Sequence, residues 1–250
     1  MAEPLLRVDN LCKRYGALTV SDGVSLDVAP GELHALIGPN GAGKTTLIHQ
    51  LSGWLRSDSG RVSLAGEDVT RLPMSERVKR GLARSFQITS ILPGFSVLEN
   101  VALAVQAREG SSFRFFAAAA KEKSLNDQAM AAIELVGLGP RAMIPAGALS
   151  HGEKRLLEIA IALATEPKAL LLDEPLAGTG KEESLAVTAK LAELKGRFAI
   201  VLIEHDMEAV FALADRVSVL VYGKVIATGT PDAIRSDPAV RAAYLGEEAA

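Results

Sequence analysis

Residues 38–45 read GPNGAGKT, and no other stretch limits the fold so tightly. The run satisfies G-x-x-x-x-G-K-[ST] in full, with an apolar, strand-like LHALI before it and a helix-like KTTLIHQLS after it. That strand–loop–helix context is what the motif requires. Gly38, Gly41 and Gly43 permit unusual backbone angles and keep side chains out of the way of a close approach. The N–H groups of the loop after Pro39, those of Asn40 and Ala42 among them, then form an anion nest, and the helix N-terminus adds partial positive charge. Lys44 supplies a full charge to β- and γ-phosphates, the Thr45 hydroxyl is placed to ligate Mg²⁺, and Thr46 completes the loop. A chance glycine-rich turn would lack the flanking strand and helix. The stretch therefore predicts a nucleotide-binding α/β domain.

The rest of the chain agrees with an α/β class. The first third carries short β-like runs, LLRVDNL, GVSLDV, ELHALI and GRVSLAG, separated by Gly, Pro and Asp. A helix is expected from Lys44 to about Ser52. From about Thr89 to Leu163 the pattern is mainly helical, as in VLENVALAVQA and LNDQAMAAIELVGL, with GSSFRFF as an irregular connection. The last third alternates strand and helix: ALLLDE, EESLAVTAKLAELKG, FAIVLIE, MEAVFALAD, RVSVLVY and KVIATG. Such alternation predicts a mostly parallel sheet covered on both faces.

Composition narrows the classes further. With 250 residues, 48% hydrophobic and 23% charged, the chain is long enough for a sizeable core and is globular. A net charge of -3 gives no support to nucleic-acid binding. The basic run RLPMSERVKRG reads as a solvated helix face. Cys12 is the single cysteine, so no internal disulfide forms, and no Cys/His cluster suggests zinc. The N-terminus does not read as a signal peptide, and no apolar run approaches the ~18 residues of a membrane span. A cytoplasmic protein is expected, which reaches a membrane only by docking on something that spans it.

A second acidic feature pairs with the loop. ALLLDEP, residues 169–175, is an apolar strand ending in two carboxylates. A parallel strand presents that end to the ligand crevice. Asp173 suits Mg²⁺, directly or through water, and Glu174 suits polarising an attacking water.

Together these residues resemble the ATP-binding-cassette ATPases, over essentially the whole chain. Tyr15 stands where that family has an adenine-stacking aromatic. GPNGAGKTT follows, then Gln87 in RSFQ, LSHGE at 149–153, LLLDEP, and His205 in IEHD. The resemblance implies a nucleotide-hydrolase core with an antiparallel β subdomain and a helical insertion, with the core at 1–88 and 160–250 and the insertion at about 89–159. It implies ATP and Mg²⁺, the latter contacted by Thr45, Gln87 and Asp173. Glu174, His205 and Lys44 take the catalytic roles, His205 as the switch histidine against the γ-phosphate.

LSHGE resembles the family signature LSGGQ, with His151 in place of a glycine and Glu153 in place of a glutamine. In the family this turn heads a helix and binds the γ-phosphate held by a second subunit's loop. Ser150 and Gly152 offer a hydroxyl and a backbone N–H for that. Ser150 also reads as a plain N-cap, and the two readings are compatible. After LLLDEP the family has S-G-L-D-P, whereas this chain has LAGTGKE, with Gly180 at the aspartate position and Lys181 at the proline position. The communication between two ATP sites is expected to differ.

Within the family, ARSFQITSILPGFSVLENV, the LAG-x-G run, IEHDM and AVRAAYLGEE resemble ATPase subunits of importers for branched-chain and other hydrophobic amino acids. Urea and amide importers and lipopolysaccharide exporters are also similar, and a soluble non-transport cassette ATPase is the rival class. The resemblance implies a head-to-tail dimer of ATPase subunits, membrane permease subunits at the inner face of the membrane, and an external solute-binding protein.

Overall fold

Period-two alternation opens the chain and is broken once. In β1 (Leu6–Tyr15) the inward residues are Leu6 and Val8 and then Leu11, so parity changes between positions 8 and 11. The pairing with β2 (Leu18–Val28) shifts register there, and Asn10 takes a positive φ of 47°. The irregularity keeps Leu11 on the core side, where an unbroken strand would expose it.

The computed structural model describes residues 3–85, 91–110 and 123–245. After β2 come β3 (Leu33–Ile37), α1 (Lys44–Ser52), β4 (Ser59–Leu64), β5 (Glu67–Asp68), α2 (Met74–Lys79) and β6 (Leu82–Arg84). Then follow α3 (Val97–Glu109), α4 (Lys123–Leu135) and α5 (His151–Leu163). The chain continues with β7 (Ala169–Asp173), α6 (Lys181–Leu194), β8 (Ala199–Ile203), α7 (Met207–Leu213), β9 (Arg216–Val221), β10 (Lys224–Gly229) and α8 (Pro231–Ser236). Among the described residues, no helix is long and apolar enough to cross a membrane.

Two sheets result. The antiparallel one has the order β2-β1-β4-β5, and the second has the order β10-β9-β3-β8-β7-β6. In the second, β9, β3, β8, β7 and β6 run parallel, and β10 pairs antiparallel to β9. Every residue of β3, β7 and β8 is buried, as strands covered on both faces must be. Their parity divides two cores. Leu33, Ala35, Leu170, Leu172, Ile200 and Leu202 face a cluster shared with α3–α7. Leu36, Leu171, Val201 and Ile203 face a cluster shared with α1 and the antiparallel sheet. The apolar faces of α3 and α4 are continuous with the first cluster, so these helices are fixed to the sheet by the same contacts that bury them.

Register places the functional edge. Leu36 pairs with Ile203, and Ile203 with Asp173. The segments leaving β3, β7 and β8 therefore emerge side by side at the C-terminal edge of the sheet.

One sequence expectation is corrected. Within RLPMSERVKRG, Arg77 is 2% exposed and not solvated. Its guanidinium donates to the carbonyls of Gln50 and Leu51 at the end of α1, at 2.9 and 2.6 Å, and to Leu72 and Thr70 at 3.0 and 2.8 Å. Burial lowers its pKa to about 10. The charge is kept inside because the last carbonyls of a helix lack intrahelical donors.

Candidate nucleotide site

Crowding explains two of the three loop glycines. Gly38 has φ 152°, and a Cβ there would stand 2.0 Å from the Leu220 carbonyl oxygen. Gly43 has φ 105°, and its Cβ would stand 2.4 Å from the Val20 oxygen. The loop is pressed between β9 and β2, and the Gly223 N–H donates to Ala42 O at 2.9 Å. Asn40, Gly41 and Thr45 remain exposed, and Pro39 and Thr46 are half-buried. Lys44 folds back over its own loop, with Nζ donating to Gly38 O at 2.5 Å and Pro39 O at 3.0 Å. Burial lowers the Lys44 pKa, and the charges of Glu174 and Asp173 oppose that shift. The ammonium and the two carboxylates thus share one field.

Asp173 is 2% exposed and meets a partner that the sequence reading missed. Arg84, 9% exposed, donates from Nη2 to Asp173 Oδ2 at 3.1 Å. Burial raises the Asp173 carboxyl above its usual range, with Arg84 working the other way. Asp173 Oδ1 is buried and has no hydrogen-bond partner among the described residues. Glu174 is half-buried with a left-handed backbone, φ 50°, held by its N–H to Ile203 O at 2.9 Å. A side chain at such an angle costs of order 1–3 kcal/mol and persists where surrounding structure imposes it.

Glu204 is a second residue without a local sequence signal. It is 1% exposed, and its carboxylate accepts from Leu176 N at 2.7 Å and His205 N at 3.0 Å. It fastens the turn after Glu174 to the end of β8. Burial raises its carboxyl above the usual range, and those amides oppose the rise. His205 itself is exposed, with Nδ1 3.7 Å from Glu204 Oε2. Tyr15 is exposed at the end of β1, with Lys13 Nζ 5.5 Å from its ring centre. Gln87 lies outside the described residues.

The Ser150 turn is built as a capping box. Glu153 N donates to Ser150 Oγ at 3.3 Å, and Ser150 N donates to Glu153 Oε2 at 2.9 Å. Arg141 pairs with Glu153 at 2.9 Å and stiffens the turn. Glu153 is thus occupied within its own helix cap. Among the described residues, no hydrogen bond or ion pair joins 150–153 to 38–46. Lys44, Asp173 and Glu174 come together in the chain; Ser150, His151 and Gly152 stand apart from them, beside the start of α6.

The donor set suits a hard cation. Among the described residues there is no group of three or more His, Cys, Asp or Glu side chains that would enclose a metal. One orphaned carboxylate oxygen on Asp173 and the Thr45 hydroxyl fit Mg²⁺, which keeps most of its ligands as water and phosphate oxygen.

Comparison with known proteins gives the same picture. Residues 21–177 match the ABC transporter family, and residues 224–250 match the Branched-chain amino acid ATP-binding cassette transporter family. The High-affinity branched-chain amino acid transport ATP-binding protein LivG of Escherichia coli (strain K12) is 38% identical, over 99% of this chain and 100% of LivG. The corresponding protein BraF of Pseudomonas aeruginosa is 35% identical, over 99% and 100%. A crystal structure of the ADP conformation of an ATP-binding cassette of an ABC transporter superposes with a TM-score of 0.87 at 32% identity. It covers 98% of this chain and 100% of that one. The phosphate loop, the acidic strand end and the fold that holds them together belong to one lineage, and the chain is a member of the ABC transporter ATP-binding family.

Proposed function

We propose that this chain hydrolyses ATP to energise an importer of branched-chain or other hydrophobic amino acids, as one of two ATPase subunits beneath separate membrane subunits. The observation that carries the reading is the convergence of Lys44, Asp173 and Glu174 at one sheet edge, with the Ser150 turn set against the start of α6 instead. A single chain then holds half of each of two sites. The match at residues 224–250 and the likeness to LivG and BraF support the amino-acid class of cargo.

In this reading Tyr15 stacks on the adenine, and residues 38–46 wrap the phosphates. Lys44 exchanges its two loop carbonyls for phosphate oxygens. Thr45, Asp173 and Gln87 hold Mg²⁺, which neutralises charge on the β- and γ-phosphates when bound. Glu174 orients a water for in-line attack on the γ-phosphorus, and the bond to the β-bridging oxygen breaks. Lys44 and His205 stabilise the charge that develops on the phosphate oxygens in the transition state. Ser150 and Gly152 of the second chain donate to the same γ-phosphate, so ATP joins the two chains and hydrolysis removes the link.

We place the core at 1–88 and 160–250 and a helical insertion at about 89–159. The membrane subunit docks on the insertion side, beside α3, where a cavity of about 810 Å³ opens between α2, β6, α3 and α5. An inner-face location and an external solute-binding protein complete the assembly.

The test compares native protein with Glu174→Gln. Native protein should hydrolyse ATP and the variant should not, a fall of at least ~100-fold for loss of a water-orienting base. The variant should elute as a dimer from size exclusion only with MgATP. Hydrolysis unchanged by the substitution would remove Glu174 from this role.

A further inference from the structure

In the single chain, an anion from its own sequence lies against the turn at Ser150–Gly152. Glu183, in the first turn of α6, lies against it: a Cβ on Gly152 would stand 2.8 Å from Glu183 Cβ and 3.3 Å from its carboxyl carbon. The Glu183 carboxylate lies close enough to the Ser150 hydroxyl and the Gly152 N–H for both to favour its charged form. It also accepts from Gly180 N, at 3.4 Å. Ser150 Oγ accepts from Glu153 N at 3.3 Å, and its proton remains to be offered to an acceptor across the helix gap. The Ser150 hydroxyl holds the Glu183 carboxyl below the usual carboxylate range, helped by the Gly180 and Gly152 amides and the nearby His151.

Capping of α6 accounts for only part of this arrangement. The bond to Gly180 N is a long one, and a cap requires nothing from Ser150 or Gly152. The groups that Glu183 lies against across the helix gap are those offered to a phosphate oxygen. A carboxylate and a phosphate oxygen cannot share one N–H and one O–H, and their like charges repel.

We propose that Glu183 is an intramolecular competitor for the signature turn, seated on Ser150 and Gly152 until the partner copy's nucleotide displaces it. This rests on the reading of that turn as the γ-phosphate contact of a second chain. Closure of the dimer then includes release of Glu183, so the ATP concentration needed for closure is set partly by a residue that never touches the nucleotide of its own chain. The departure of 180–181 from the family pattern lies at the start of the same helix, which places the competitor and the altered turn in one element.

The experiment uses the full chain with Glu174→Gln as the reference, so that closed dimers accumulate. Sedimentation velocity across a MgATP series is run for the reference and for Glu183→Ala and Glu183→Gln added to it. The midpoint ATP concentration for dimerisation should fall about tenfold with alanine, the scale of one charge-assisted hydrogen bond. Glutamine keeps a carbonyl acceptor for Gly180 N and loses the charge; it should give a smaller fall and serves if alanine frays α6. Nucleotide affinity of the dilute monomer should not change. The Gly152 amide resonance of the monomer should shift on substitution of Glu183.

An unchanged or raised midpoint overturns the proposal, as does an unmoved Gly152 resonance. If the reference binds MgATP and never dimerises, the shared-site reading itself falls and the proposal falls with it. That failure shows in the reference, whereas failure of the competitor shows only in the comparison.

Discussion

Arg84 and Asp173 form the most consequential pair of side chains at the sheet edge. Both are buried, they are joined at 3.1 Å, and each keeps one further polar atom without a partner among the described residues, Nε of Arg84 and Oδ1 of Asp173. Replacing Arg84 with methionine keeps much of the volume and leaves Asp173 buried without its cation. Loss of one partner of a buried pair costs about 3–5 kcal/mol. Urea unfolding of Arg84→Met should show a loss of that order near neutral pH. The pH dependence has a definite sign. Asp173 already titrates above its ordinary value in the folded chain, chiefly through burial, and losing Arg84 raises it further. The folded form then holds its proton more tightly than the unfolded form, so stability falls as pH rises through that interval. The deficit of Arg84→Met relative to native should be smaller at pH 5 than at pH 8. A deficit equal at both pH values would mean that Asp173 is not the group left unpaired.

At the scale of elements, a polar network locks the start of the parallel sheet. The Glu32 carboxylate accepts from Arg216 Nε at 2.6 Å and from Ala29 N at 2.6 Å, and lies 3.3 Å from His34 Nδ1. His34 Nε2 reaches Ser218 Oγ at 2.8 Å, and Ser218 reaches Thr228 at 2.7 Å. Four segments are joined: the β2–β3 turn, β3, β9 and β10. Burial works against the charge on Glu32, but His34, the Ala29 amide and Arg216 hold its pKa down at about 2, against an ordinary 4.5. A depressed acid contributes stability above its unfolded value and loses it as pH falls through the folded one. Glu32 should therefore contribute about 3 kcal/mol at neutral pH, declining as pH falls from 4.5 toward 2. Glu32→Gln should lower stability at pH 7 by that order and flatten the acid limb, as read by urea titrations between pH 3 and 7. An acid limb as steep as that of native protein would exclude Glu32 as its source.

Elements like these show what sequence reading reaches. Lys44–Ser52 was legible as a helix because the phosphate loop sets its start and Gly53 ends it in a left-handed turn. β3, β7 and β8 were legible as unbroken apolar runs. β6 was not, since three residues carry no periodicity, and Arg77 was not, because its partners are helix-end carbonyls some twenty-six residues away. Arg84, Glu204 and Glu183 share that reason: each acts through a residue distant in sequence, and no local spacing announces it.

At the scale of the whole molecule, the departure at Gly180 bears on how the two sites of the proposed dimer would communicate. Gly180 is the N-cap of α6, with φ −72° and ψ 166°, and a Cβ there meets nothing within 4 Å. An aspartate is therefore sterically free at this position, and its carboxylate is suited to cap the first turn, an improvement over glycine of a few tenths of a kcal/mol. Gly180→Asp should fold normally and unfold at the same temperature or slightly higher, as calorimetry would show. Without a side chain at 180, no side chain from this position reaches across the interface, and the Hill coefficient of the native dimer should reflect only the coupling that the shared γ-phosphate contacts supply. With aspartate in place the two turns acquire a polar group able to cross between the copies, and the coefficient should rise above that of the native protein. The new carboxylate also stands beside Glu183, so like charge at the start of α6 should ease release of Glu183 from Ser150. The cooperativity should accordingly rise at lower ATP concentration in Gly180→Asp, and that shift should vanish when Glu183→Ala is added. A stable Gly180→Asp protein with native cooperativity would mean that communication between the sites runs through other parts of the interface.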